Sequence, residues 1–137
     1  MLAQSLIVAG AMLFALLGVV HLIYTFFSNK FDARDASTTV AMKGTSPVLT
    51  RRTSMWKAWI GFNASHSLGI LLFAAVYLVL AIGHMPLLRQ SSALVWLPVV
   101  GSTTYVVLAR QYWFRTPLIG AGIASACFVV AALMLTV

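Results

Sequence analysis

The chain has 137 residues, of which 61% are hydrophobic and 8% charged, with a net charge of +7 and a mean hydropathy of +0.98. A water-soluble domain is nearer half apolar and a quarter charged. This composition therefore excludes an ordinary cytosolic globule, a disordered tail and a disulfide-stapled secreted module, and the lone Cys127 cannot close an internal disulfide.

Four stretches without Asp, Glu, Lys or Arg are long enough to cross ~30 Å of hydrocarbon, which takes roughly 20 helical residues. They are expected at about 5–27, 58–83, 93–109 and 117–137, the third near the short limit. No basic segment precedes the first, and its apolar run is long for a cleaved signal peptide. Runs of this length belong to helices rather than barrel strands. The short second and third connections favour antiparallel neighbours. The expectation is an all-α membrane protein: one integral membrane domain over 1–137, with four transmembrane helices in an up-down antiparallel bundle.

Charge sets the orientation. Lys30, Arg34, Lys43, Arg51, Arg52 and Lys57 fall in the first loop (28–57), and Arg110 and Arg115 in the third connection, whereas only Arg89 falls in the second. By the positive-inside rule the first and third connections are cytoplasmic and both termini lie outside, as in a bacterial inner membrane. The net positive charge then serves contact with anionic membrane lipids. Nucleic acid is not an expected partner, because the cations are spread along the loop and divided by spans.

No Asp, Glu, Lys or Arg lies deep in a span, and Asp32 and Asp35 are the only acids. Proton-coupled exporters and di-iron carboxylate centres need membrane acids, so both are excluded. A Ser-His-acid hydrolase is not expected, because its acid could come only from Asp32 or Asp35. The polar groups that remain gather at one depth. His21 sits six residues before Phe27 and His66 six after Ile60, roughly 9 Å into the apolar layer at 1.5 Å per residue. His21, Thr25 and Ser28 share one face of the first span. Trp56, Trp59, Asn63, His66 and Ile70 form a stripe on the second, and Ser102, Tyr105, Ala109 and Tyr112 one on the third. Ser102, Thr103, Thr104 and Ser125 suit helix packing. Asn63 and His66 need partners, since burying an unpaired polar group costs several kcal/mol. His84 is expected at the outer boundary, and Cys127 in packing.

These residues and their order carry a resemblance. The layout is an uncharged first helix, a long basic loop, three further helices and outside termini. Ser46-Pro47-Val48-Leu49-Thr50 precedes the basic start of span two, Asn63-Ala64-Ser65-His66 resembles an Asn-x-x-Glu element, and Tyr105 with Ala109-Arg110-Gln111-Tyr112 resembles an Ala-Arg-x-Tyr stretch. Together they resemble the MAPEG family, the membrane-associated proteins in eicosanoid and glutathione metabolism. The family's enzymes have Arg four residues before the Asn and Glu three after it, where this chain has Trp59 and His66. The resemblance bears on fold more than on activity. It implies a homo-oligomer, a trimer, with glutathione as cosubstrate, and a role for Arg110 and Tyr105 in forming and holding a thiolate.

Three functions compete. The first is binding or transforming a lipophilic or amphipathic anion at the cytoplasmic leaflet, by a glutathione-transferase-like or isomerase-like enzyme if by an enzyme at all. Here Tyr105, His66 and Arg110 are the catalytic candidates. Asn63, His21, Trp59, Arg51, Arg52 and Tyr112 are the ligand-binding ones, and no metal is expected. The second is a non-catalytic accessory or assembly subunit. The third is a haem protein with His21 and His66 as axial ligands.

Overall fold

The computed structural model describes residues 1–136. Every regular element is helical: α1 Leu2–Phe27, α2 Ala36–Gly44, α3 Met55–Gly83, α4 Met85–Gln90, α5 Ser92–Tyr112 and α6 Arg115–Thr136. Of these, α1, α3, α5 and α6 are long and apolar enough to span a membrane. Their bounds exceed the expected spans at most ends, because helix continues into polar residues that apolar runs do not mark. α5 runs through Arg110-Gln111-Tyr112, placed in a turn by composition, and ends where the Trp113 N–H bonds to the Ala109 carbonyl. α3 begins three residues before Ala58, where the Ser54 hydroxyl accepts from the Lys57 N–H at 3.3 Å. The last expected residue of the fourth span, Val137, lies outside the described residues.

Helix α2 falls inside the polar loop. Asp35 starts it as N-cap, accepting from the Ser37 N–H at 3.0 Å and the Ser37 hydroxyl at 2.6 Å. Those bonds, the hydroxyl's first, hold the Asp35 carboxyl below the ordinary carboxylate range. α4 is a short helix with Pro86 in its first turn, where a missing N–H costs nothing.

The described residues divide into two compact units: Met1–Leu17 with the chain from Ile70 on, and Gly18–Gly69. The first holds the apolar core. Ala3, Ile7, Ala11 and Phe14 on α1, Ile70, Ala74, Tyr77 and Ala81 on α3, and Ala121, Ala124, Phe128 and Ala131 on α6 are buried at helical spacing. Alanine and glycine let the helices approach closely. A Cβ added to Gly10 would stand 3.1 Å from both the Ala124 carbonyl and the Phe128 ring. Aromatic rings fill the remaining space. Phe14 meets Phe73 at 5.5 Å, Tyr105 at 5.6 Å and Phe128 at 6.3 Å between centroids. Gln4 Nε2 donates to the Ala81 carbonyl at 2.8 Å. Between α5 and α6, Ser102 donates to the Ser125 hydroxyl at 3.2 Å.

One contact repairs a helix. Pro98 lies buried within α5 and has no N–H to give the Leu94 carbonyl four residues earlier. The Tyr77 hydroxyl donates to that carbonyl at 3.1 Å instead. Tyr77→Phe keeps the ring and leaves the carbonyl short of a donor. We expect it to lower the midpoint of denaturant unfolding in detergent micelles, by the equivalent of about 1 kcal/mol of unfolding free energy. An unchanged midpoint would show that the carbonyl does not need the donor.

Candidate functional site

The second unit contains the polar groups whose shared depth the sequence marks. His21 comes from the last third of α1, and Asn63 and His66 from consecutive turns of α3. His21 Nε2 lies 3.0 Å from Asn63 Oδ1, and Asn63 Nδ2 donates to the Trp59 carbonyl at 2.9 Å. A carbonyl only accepts, so the amide must turn its NH2 toward Trp59 and its oxygen toward His21. His21 Nε2 therefore carries the proton, and the neutral ring keeps its lone pair on Nδ1. The His66 ring meets that of His21 edge to face, with centroids 5.1 Å apart. Asn63 is only 6% exposed, while the two histidines are partly exposed.

Phe31, from the loop after α1, covers this group. Its ring lies 4.5 Å from that of His21, and Trp59 Nε1 donates to its carbonyl at 3.1 Å. The exposed Trp59 thus fastens the loop onto α3 while its own carbonyl orients Asn63. Thr25 and Ser28, expected on the same stripe as His21, turn their hydroxyls to the carbonyls of His21 and Tyr24 at 2.8 and 2.9 Å. They satisfy themselves on their own helix.

Farther toward the loop, Lys43, Arg51, Arg52 and Lys57 line an open pocket of about 320 Å³. Neither acid of the chain is among its lining residues. Lys43 Nζ stands 5.2 Å over the Trp56 ring, a cation–π contact that holds it against the start of α3. A second open hollow, of about 660 Å³, lies over 29–40, with Lys30, Asp32 and Arg34 on its wall, so its charges are mixed.

Tyr105, Arg110 and Tyr112 belong to the first unit. Tyr105 is partly buried, with its ring 5.6 Å from Phe14 and 6.2 Å from Trp113. Arg110 and Tyr112 are exposed at the end of α5. The structure thus brings His21, Asn63, His66 and Trp59 into one hydrogen-bonded and ring-stacked group, and Arg51 with Arg52 into one pocket. Phe31 and Lys43 join them, although residue type and spacing do not single them out as site residues, and so does Lys57, a first-loop cation that the sequence already sets beside Arg51 and Arg52. An aromatic in a polar loop is the only sign of Phe31.

What the group can do is limited by its atoms. It offers one imidazole of fixed tautomer, a second imidazole in contact with it, and nearby cations. That suffices to accept a hydrogen bond or move a proton. Among the described residues, no three His, Cys, Asp or Glu side chains come together as a metal-ligand set. A haem iron would need one ring nitrogen of each histidine aimed at it from opposite sides. With the rings edge to face and His21 Nε2 given to Asn63, the pair as it stands does not fit a haem. Comparison with family models, with curated proteins and with solved structures gives no match to this chain.

Proposed function

We propose that this is an integral membrane protein that binds, or transforms, an amphipathic anionic molecule at the cytoplasmic leaflet. Its four spans would form an up-down bundle with both termini outside, of MAPEG-like layout, in a bacterial inner membrane. Two contacts support antiparallel α1 and α3: Gln4 with Ala81, and Phe14 with Phe73. One observation carries the functional reading. A single compact unit holds a buried, oriented Asn63 bonded to His21, with His66 beside it, and a pocket lined by four cations. Lys57 and Asn63 lie six residues apart on α3, about 9 Å along the axis. An anionic head at the cations would therefore leave the rest of a molecule within reach of the imidazoles.

In this reading Arg51 and Arg52 receive the head, Asn63 and His21 hold a polar group farther in, and His66 moves a proton if chemistry follows. Tyr105 and Arg110 keep the thiolate-holding role that the resemblance implies, with glutathione as cosubstrate, and Tyr112 stays a binding candidate. Each is tested by its own variant. A trimer, also implied by the resemblance, is read by the mass of the detergent-solubilised particle.

Isothermal titration of the purified protein with a long-chain fatty-acid anion, and separately with glutathione, is expected to give saturable heat for at least one. Arg51→Gln is expected to weaken that binding about tenfold or more, the loss of one charge-assisted hydrogen bond. Silence toward both ligands would remove the binding reading and leave that of an accessory subunit, which predicts co-purification with a larger complex.

A further inference from the structure

The segment between α2 and α3 is built as a closed loop with an unusual tip. Its ends are tied where the Met55 N–H donates to the Thr45 carbonyl at 2.9 Å. Within it, the Thr50 N–H donates to the Pro47 carbonyl at 3.2 Å, so Pro47-Val48-Leu49-Thr50 is a hydrogen-bonded β-turn. The two central residues of that turn are aliphatic and essentially bare: Val48 is 109% and Leu49 94% exposed. Turn tips facing water carry Gly, Asn, Asp or Ser, and nothing in the polar loop covers this one. The cations Lys43, Arg51, Arg52 and Lys57 stand at the base of the same loop, with Ser46 and Ser54 among the residues that line their pocket.

The charge geometry selects the occupant. Four cations with no acid in the lining leave a pocket that an anion must neutralise. Two arginines offer planar pairs of donors suited to phosphate oxygens. The bare aliphatic tip requires that the anion come with an apolar phase. A free anion in water would answer the cations and leave Val48 and Leu49 in solvent, whereas a bilayer surface answers both. The position agrees. α3 has 29 residues and is about 43 Å long, well beyond ~30 Å of hydrocarbon. Its first turn, with Lys57, therefore reaches headgroup level.

We propose that the loop 45–54 is a membrane clamp. Val48 and Leu49 dip below the headgroups of the leaflet, and Lys43, Arg51, Arg52 and Lys57 close on the phosphate of an anionic lipid, best a phosphomonoester such as phosphatidic acid, which carries up to two charges. The clamp fixes α2 and the start of α3 at the surface and supplies a negatively charged lipid beside the polar group on α3. It rests on the membrane reading above and shares Arg51 and Arg52 with the head site proposed there, but it needs no ligand at His21, Asn63 or His66.

Native mass spectrometry of the detergent-solubilised full chain tests it with phosphatidic acid, phosphatidylcholine and inorganic phosphate as separate probes. We expect retained adducts of phosphatidic acid, none of phosphatidylcholine, and a roughly tenfold loss of adduct in the Arg51→Gln/Arg52→Gln double variant. Displacement of the lipid by equimolar inorganic phosphate would make the pocket a free-phosphate site and overturn the proposal. So would equal retention of phosphatidylcholine. A second measurement does not depend on the arginines. A nitroxide label at Leu49→Cys, in a Cys127→Ser background, is expected to be shielded from a water-soluble relaxant in bilayers containing phosphatidic acid. A label that stays fully accessible there overturns insertion of the tip. Fatty-acid and glutathione titrations that are silent while these results hold would remove the function proposed above and leave the clamp standing. Binding there with no lipid adduct would do the reverse.

Discussion

Phe14→Ala is expected to remove about 2–3 kcal/mol of unfolding free energy, the largest single loss in the apolar unit. Phe14 is 1% exposed and is the ring that Phe73, Phe128 and Tyr105 all touch. In a water-soluble core the loss would be nearer 3–5 kcal/mol, part of it the transfer of apolar atoms out of water. Between membrane helices that part falls away, because lipid tails are as apolar as the core. What stays is the void and the dispersion attraction its lining forfeits. The neighbours are rings at fixed positions on rigid helices, and Ala11 beside it is too small to fill the hole. Phe14→Leu should recover more than half the loss. Denaturant titration in a fixed detergent measures both variants. A loss below about 0.5 kcal/mol for Phe14→Ala would show that the rings are not packed as described.

Asn63→Leu tests the polar unit. It removes the acceptor that holds His21 Nε2–H and the donor on the Trp59 carbonyl. The carbonyl keeps its helical partner, so the orphan is the imidazole N–H. An unpaired buried donor costs about 1–3 kcal/mol, and interhelical hydrogen bonds in membranes average nearer 0.6, with a maximum of about 1.7. The expected destabilisation is about 1–2 kcal/mol. A double-mutant cycle with His21→Leu, which removes the same bond from the other side, should return a coupling near 1 kcal/mol. The same variant separates two roles for Asn63. Structural glue would show the stability loss with ligand binding unaltered in the folded fraction, whereas a binding residue loses affinity beyond it. Zero coupling in the cycle would remove the hydrogen bond as the basis of either role.

Much of the fold is legible in the chain because charge is so scarce. Four runs without a formal charge mark the four long helices within a few residues, and similar distances from the loop-side ends of two spans mark His21 and His66 as neighbours in depth. Their actual meeting needs the orientation of Asn63, and that is set by a backbone carbonyl, which no residue type announces. Helix ends depart from the apolar runs wherever a polar residue continues the helix, as at Arg110 to Tyr112. The Phe31 cover is hidden for a related reason. Its position depends on a bond from Trp59 Nε1 to a main-chain oxygen 28 residues away. The basic pocket is visible as charge but not as a place, because Lys43 and Arg51 come together only through α2 and the closed loop that follows it.

The bond between Tyr77 and the Leu94 carbonyl also bears on how the chain is made. A proline-bearing α5 released by itself into lipid would carry a carbonyl with no donor, and a bilayer interior offers no water to supply one. Tyr77 precedes Leu94 by 17 residues, so its hydroxyl emerges from the ribosome before the carbonyl that needs it. The order of residues along the polypeptide thus delivers the remedy before the defect, and a circularly rearranged gene placing α5 ahead of α3 would lose that advantage during insertion.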